Sequence, residues 1–228
     1  MNLQVCVPYQ KCPFNCPMCI AKGRNTYPNL YELNYDDYMQ ELTDTIKTLD
    51  IRDVVLTGAT DPTLNRKWLT YIQEEIKIPC PTVNIELQTK NYNLKGYNLS
   101  RIDVLSYSIT DYKSYLKAWN FRKINKTNRL VILLTKEFDH MKAEDFNPMG
   151  YEQITFKVLQ RGADKQVNDW IFKNEMTNFS EIYKIVDRFN GTKTSVRIDT
   201  SCQESENRYF VFREDGELYK DWSSEKPL

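Results

Sequence analysis

Histidine is almost absent: His140 is the only one in 228 residues. Chemistry that needs two histidines is excluded, and with it most zinc hydrolase designs. An excess of one charge is also lacking, since 31 basic side chains stand against 31 acidic ones. A broad phosphate-binding surface, and so a nucleic-acid partner, is not expected, although a local patch stays open. No run of about 18 apolar residues occurs, so no transmembrane helix and no membrane partner are expected. The opening MNLQVCVPYQK has no basic stretch followed by an apolar tract, and no secretory signal is expected there. Internal repeats and a compositionally distinct linker are missing too. The expectation is one domain with a short C-terminal extension.

What is present begins with an apolar fraction of 41%, within the range of a folded core. Three of the six cysteines, Cys12, Cys16 and Cys19, crowd into KCPFNCPMCIAKG. Cys6, Cys80 and Cys202 are isolated. Length, spacing and the missing signal argue against a secreted disulfide scaffold. They point to a reducing cytoplasm, with three ligands and three ordinary thiols. Soft thiolates suit iron–sulfur clusters or zinc. A structural zinc site takes four protein ligands, commonly as two separated pairs, and His140 is a poor fourth. A four-cysteine cluster lacks an obvious fourth as well. Three thiolates at this spacing can hold three irons of a cubane and leave the last open. Pro13 and Pro17 stiffen the turn by fixing φ. Zinc and incidental thiols are the alternatives.

The trio follows a strand candidate, Leu3 to Val7, ended by Pro8. The stretch from Tyr9 to about Leu33 is long for a connection without function. Asn34 is placed to cap a helix, with Asp36 and Asp37 in its first turn. Tyr35, Tyr38, Met39, Leu42, Ile46 and Leu49 share that helix's apolar face. Further strands are expected at 53–57, 82–89, 101–110, 130–134, 153–160 and 194–198. Helices are expected at 68–76 and 180–189, the latter with Ile182, Tyr183, Val186 and Phe189 inward, and a weak one at 142–146. Such alternation implies parallel strands covered by helices, with ligands at their carboxyl ends. Asp215-Gly216, between Tyr209–Arg213 and Leu218–Trp222, reads as a hairpin.

Cys12-x3-Cys16-x2-Cys19, at the end of a first strand, resembles the signature of the radical S-adenosylmethionine superfamily. The resemblance spans residues 1 to about 200 and implies an α/β fold, a partial (β/α)6 TIM-like barrel. Residues 201–228 would then be a hairpin extension packed on that core. It implies a [4Fe-4S] cluster on Cys12, Cys16 and Cys19, with S-adenosylmethionine chelated at the open iron. Reductive cleavage would give a 5′-deoxyadenosyl radical that takes a hydrogen atom from substrate. An external reductant such as flavodoxin or ferredoxin is implied as a partner. By analogy with compact single-cluster relatives, the substrate is expected to be a peptide or protein. A nucleotide or other small metabolite is the alternative, and a non-catalytic metal-cluster module that binds a partner is a third possibility.

The same resemblance suggests cofactor contacts. Met18 stands where the family usually has an aromatic beside the adenine, and a thioether can pack on a ring; ordinary loop packing is the alternative. Gly58, Ala59, Thr60 and Asp61 occupy the turn that would receive the ammonium of S-adenosylmethionine. They depart from the usual two glycines and glutamate, and a turn capping the next helix is the plain alternative. Gln88, Ser106 and Ser108, on polar strand faces, are candidates for the ribose and methionine parts. Lys157 and Arg161 could pair with the methionyl carboxylate or with a substrate acid. Arg197 and Asp199 could orient substrate or form a solvated salt pair. Cys202 is weighed as a hydrogen-atom donor, a role few lone cysteines have.

Overall fold

The computed structural model describes residues 2–8, 12–19, 34–58, 60–159, 161, 164–200, 209–222, 224 and 227–228. Its strands are β1 (Asn2–Cys6), β2 (Asp53–Thr57), β3 (Asn84–Thr89), β4 (Val104–Ile109), β5 (Thr127–Leu133), β6 (Gln153–Lys157), β7 (Ser195–Asp199), β8 (Tyr209–Phe212) and β9 (Leu218–Tyr219). The α-helices are α1 (Tyr35–Thr48), α2 (Arg66–Lys77), α3 (Tyr112–Lys117), α4 (Lys165–Asn174) and α5 (Ser180–Phe189). All nine strands form one mixed sheet in the order β7-β6-β5-β4-β3-β2-β1-β8-β9. Only the β8–β9 pair is antiparallel. β8 lies parallel to β1, on the edge away from β2.

Strands β1 to β7 are laid down in sequence, each beside the last. Right-handed crossovers that always advance in one direction put their helices on one side of a sheet. That side is the core. Leu3, Val5, Val54, Leu56, Ile85, Leu87, Leu105, Tyr107, Leu130, Ile132, Ile154 and Phe156 are all buried in one cluster. Against them pack Tyr38, Met39, Leu42 and Ile46 of α1, and Trp68, Leu69, Ile72 and Ile76 of α2. Each such side chain contributes roughly 1.5–3 kcal/mol by leaving water. Asn34 caps α1 through its side-chain oxygen, which accepts from the Asp36 N–H. In α5 the buried residues are Ile182 and Ile185, three apart, whereas Tyr183 is exposed. Its inward face is therefore shifted from the expected one. The expected 142–146 helix is a single turn instead, closed by the Asp145 N–H on Lys142 O at 3.1 Å, and its Ala143 N–H is bound by the Glu181 carboxylate.

The other face of the sheet is polar. Strand register aligns Gln88 with Ser106, Ser106 with Arg129 and Arg129 with Gln153. It also aligns Thr155 with Arg197 and Lys157 with Asp199. Arg129 pairs with the Glu86 carboxylate and donates from Nε to Gln153 at 2.7 Å. Gln4 on β1 accepts from the Trp222 indole N–H, fastening the C-terminal hairpin to the same face.

At the opposite strand ends, Asp103 holds β3 and α2 together. It accepts from Lys77 and Lys126, both at 2.7 Å, and from the Ile85 N–H at 2.9 Å. Burial pushes its carboxyl up, but the two lysines and the amide outweigh that and leave its pKa below the usual value. A depressed carboxylate stabilises the fold above the ordinary Asp range, near pH 4, and that contribution fades as pH falls through the lowered value. Asp103→Asn should therefore lower the urea midpoint at pH 7 and have little effect near about pH 2. Among the described residues no helix is long and apolar enough to cross a membrane.

Candidate active site

The cysteine turn begins from a fixed post. Three successive carbonyls at the end of β1 are held: Cys6 O by the Tyr38 hydroxyl at 2.8 Å, Val7 O by Thr60 at 3.4 Å, and Pro8 O by Asn65 at 3.1 Å. From there the chain enters the loop at the carboxyl ends of the parallel strands. Asn15 has φ +42°, a conformation asparagine tolerates better than most residues, and it reverses the chain between Cys12 and Cys16. Pro17 follows Cys16, and the Cys19 N–H returns to Cys16 O at 3.1 Å. Proline at the second position of such a turn is pre-set for it.

Cys12, Cys16 and Cys19 are partly exposed on this one turn. Among the described residues, no three His, Cys, Asp or Glu side chains are gathered as a metal set. The donors nonetheless fit a cluster in kind and number: three soft thiols on a single turn, with a cation aimed at one of them. That cation is Lys90, whose Nζ lies 3.5 Å from Cys16 Sγ. Sequence reasoning put Lys90 on the polar face of this strand with Glu86 and Gln88 but did not foresee its contact with the cysteine turn. Its position directly after β3, on the face of Glu86 and Gln88, was the available signal.

Asp61 fixes Lys90 in turn. The Asp61 carboxylate is 8% exposed. It accepts from Thr63 N at 3.0 Å, Thr63 Oγ1 at 2.6 Å, Thr89 Oγ1 at 2.8 Å and Lys90 N at 2.6 Å. A carboxylate has about four acceptor positions. Those of Asp61 are engaged by the protein, so it serves as the clasp between the β2 loop and the end of β3. It also caps the 3-10 turn Pro62–Leu64. Gly58, with φ +141°, answers to a neighbouring strand: a Cβ there would lie 3.0 Å from Cys6 Cα. Thr60 is buried and donates to Val7 O, which leaves its hydroxyl lone pairs facing the turn. Ala59 and Cys202 lie outside the described residues.

Met18 joins Leu133 and Leu159 and the α4 residues Val167, Trp170 and Ile171 in an apolar cluster. This contact brings the cysteine turn of β1 to the ends of β5 and β6, four and five strands away in the sheet order. Helix α4 was not foreseen. Its signals were Asp164, which caps it through the Val167 N–H, and apolar residues at 167, 170 and 171. Gln88 donates to Glu86 at 3.0 Å, and the buried Ser106 hydroxyl has no partner among the described residues. The Ser108 carbonyl accepts from Tyr92, whose hydroxyl is pushed up to about 12, mainly by burial. Arg161 pairs with Glu175 at 2.9 Å on an exposed edge. Arg197 donates to Thr155 at 3.4 Å. His140 is exposed beside the Tyr112 ring.

No protein-family model matches the chain. No curated protein matches it either. Among solved structures, it is similar to that described as the crystal structure of BtrN in complex with AdoMet and 2-DOIA. The two share 12% sequence identity at a TM-score of 0.40, over 97% of this chain and 72% of that one.

Proposed function

We propose that the chain is a radical S-adenosylmethionine enzyme of a reducing, cytoplasmic compartment. The observation that carries the reading is the cysteine turn itself: three thiols at the carboxyl end of β1 in a parallel sheet, with Lys90 reaching Cys16. Cys12, Cys16 and Cys19 would hold a [4Fe-4S] cluster. When bound, such a cluster supplies the electron that cleaves S-adenosylmethionine and yields the 5′-deoxyadenosyl radical.

The chain's own residues bind and orient. Lys90 offers a positive charge beside the turn. The Thr57 carbonyl and the Thr60 hydroxyl are acceptors for an ammonium, and Asp61 keeps that loop in register with β3. Gln88 and Ser108 line the polar face for the ribose and methionine parts. Met18 and α4 exclude water above it. A sheet of parallel strands laid down in order suits the wall of a partial (β/α) barrel with its polar face inward. The hydrogen atom comes from a peptide or protein substrate, with a small metabolite as the alternative, and flavodoxin or ferredoxin is the fitting class of reductant.

Anaerobic reconstitution followed by iron and sulfide analysis tests the first part. Dithionite and S-adenosylmethionine should then yield 5′-deoxyadenosine, and Cys16→Ala should abolish it. A zinc-loaded protein, or a four-iron protein that forms none even with a flavodoxin system, would sink the reading.

A further inference from the structure

We infer that the polar face at β6 and β7 is an oxyanion subsite, which receives a carboxylate or phosphate of the substrate between Lys157 and Arg197. The word substrate rests on the function proposed above; the anion site itself stands on geometry.

From β3 to β7 this face carries four cations, Lys90, Arg129, Lys157 and Arg197, against the carboxylates of Glu86 and Asp199, and Lys90 is turned to Cys16. The cations are not equivalent. Arg129 is held by Glu86 and Gln153 and acts as a brace. Lys157 is half-buried, and its ammonium has no hydrogen-bond or ion-pair partner among the described residues. Among the described residues Arg197 donates only through Nε, to a neutral hydroxyl, which leaves its two terminal nitrogens open to a ligand there. Withdrawing a cation from water without a partner is unfavourable, and a bound anion would relieve it. Register puts Lys157 beside Asp199, two residues along β7 from Arg197. The two cations are thus diagonal neighbours, roughly 7–8 Å apart at the backbone. An ammonium and a planar guanidinium at that spacing can share one oxyanion.

Further along the same face, Ser106 supports a ligand-facing surface. Its hydroxyl is fully buried without a partner among the described residues and lies in register between Gln88 and Arg129. The subsite is also near the cysteine turn. Leu133, the register partner of Lys157, packs on the same apolar cluster of Leu159, Val167 and Ile171 as Met18 does. An acid held by Lys157 would therefore sit under the turn that carries the thiols.

Inorganic phosphate and succinate, titrated calorimetrically into the full chain, are the probes. At least one should bind saturably. Lys157→Gln and Arg197→Gln should each weaken it about tenfold, the loss of one charge-assisted contact. Lys165→Gln, on the exposed side of α4, should leave it unchanged. A matching urea midpoint shows that each variant is folded. Adding S-adenosylmethionine should not displace the probe; displacement would assign the cations to the cofactor's carboxylate and overturn the subsite. So would absence of saturable binding, or equal affinity in the double variant. 5′-deoxyadenosine formation by the wild type is read separately. Deoxyadenosine without anion binding removes the subsite alone, and anion binding without deoxyadenosine removes the radical chemistry alone.

Discussion

Arg129→Met should destabilise the fold by about 3–5 kcal/mol, read as a fall in the urea midpoint. Arg129 and Glu86 stand on the polar face with side chains only 16% and 10% exposed. Removing the guanidinium leaves a carboxylate with little water, and Gln88 as its one remaining side-chain donor. Gln153 loses the Arg129 Nε–H at the same time. The penalty belongs to the orphaned charge rather than to the strength of the pair. Replacing both residues by methionine should therefore recover most of the loss. A double variant as unstable as the single one would show that the cost lies in packing instead.

Asp61→Ala should cost about 2–4 kcal/mol and loosen the loop that carries Lys90. The substitution strands the N–H groups of Thr63 and Lys90 and the hydroxyls of Thr63 and Thr89. Asparagine should be a poor repair. Its carbonyl can keep the Thr63 contacts, but its NH₂ then faces the Lys90 N–H, donor against donor. Denaturant titration gives the stability change, and amide exchange at Lys90 reports the loosening. Unchanged exchange at Lys90 in Asp61→Ala would mean that the clasp is not what positions it.

Local chemistry made much of the architecture legible. Asn34 caps α1 as its side chain and the two aspartates after it suggested, and β2 runs over the expected residues. Asp215-Gly216 turns β8 into β9. These features depend on a few neighbouring residues. What escaped depends on partners remote in sequence. Asp61 looked like a ligand group because a carboxylate in a polar turn is unassigned until Thr89 and Lys90 arrive from the next strand. Gly58 suggested close approach to a ligand, while the close neighbour is Cys6. Arg129 stands just before the expected strand 130–134 and drew no reading, because its partner Glu86 arrives from β3. Met18 had two readings in sequence, and its place on the cluster with Val167 and Ile171 needed α4, whose apolar residues are too few to announce themselves.

The pairing of β8 with β1 bears on how the chain comes to be folded. β1 is an inner strand with β2 on one side, yet its other neighbour is contributed by nearly the last part of the sequence. A chain emerging from the ribosome can align β1 to β7 in order, each new strand finding the one before. Throughout that time β1 presents an open row of amides and carbonyls, the kind of edge that invites pairing with a second molecule. Only when Tyr209–Phe212 is released can this edge be sealed, with Trp222 closing over Gln4. An early strand thus waits for a far later one before its open side is covered.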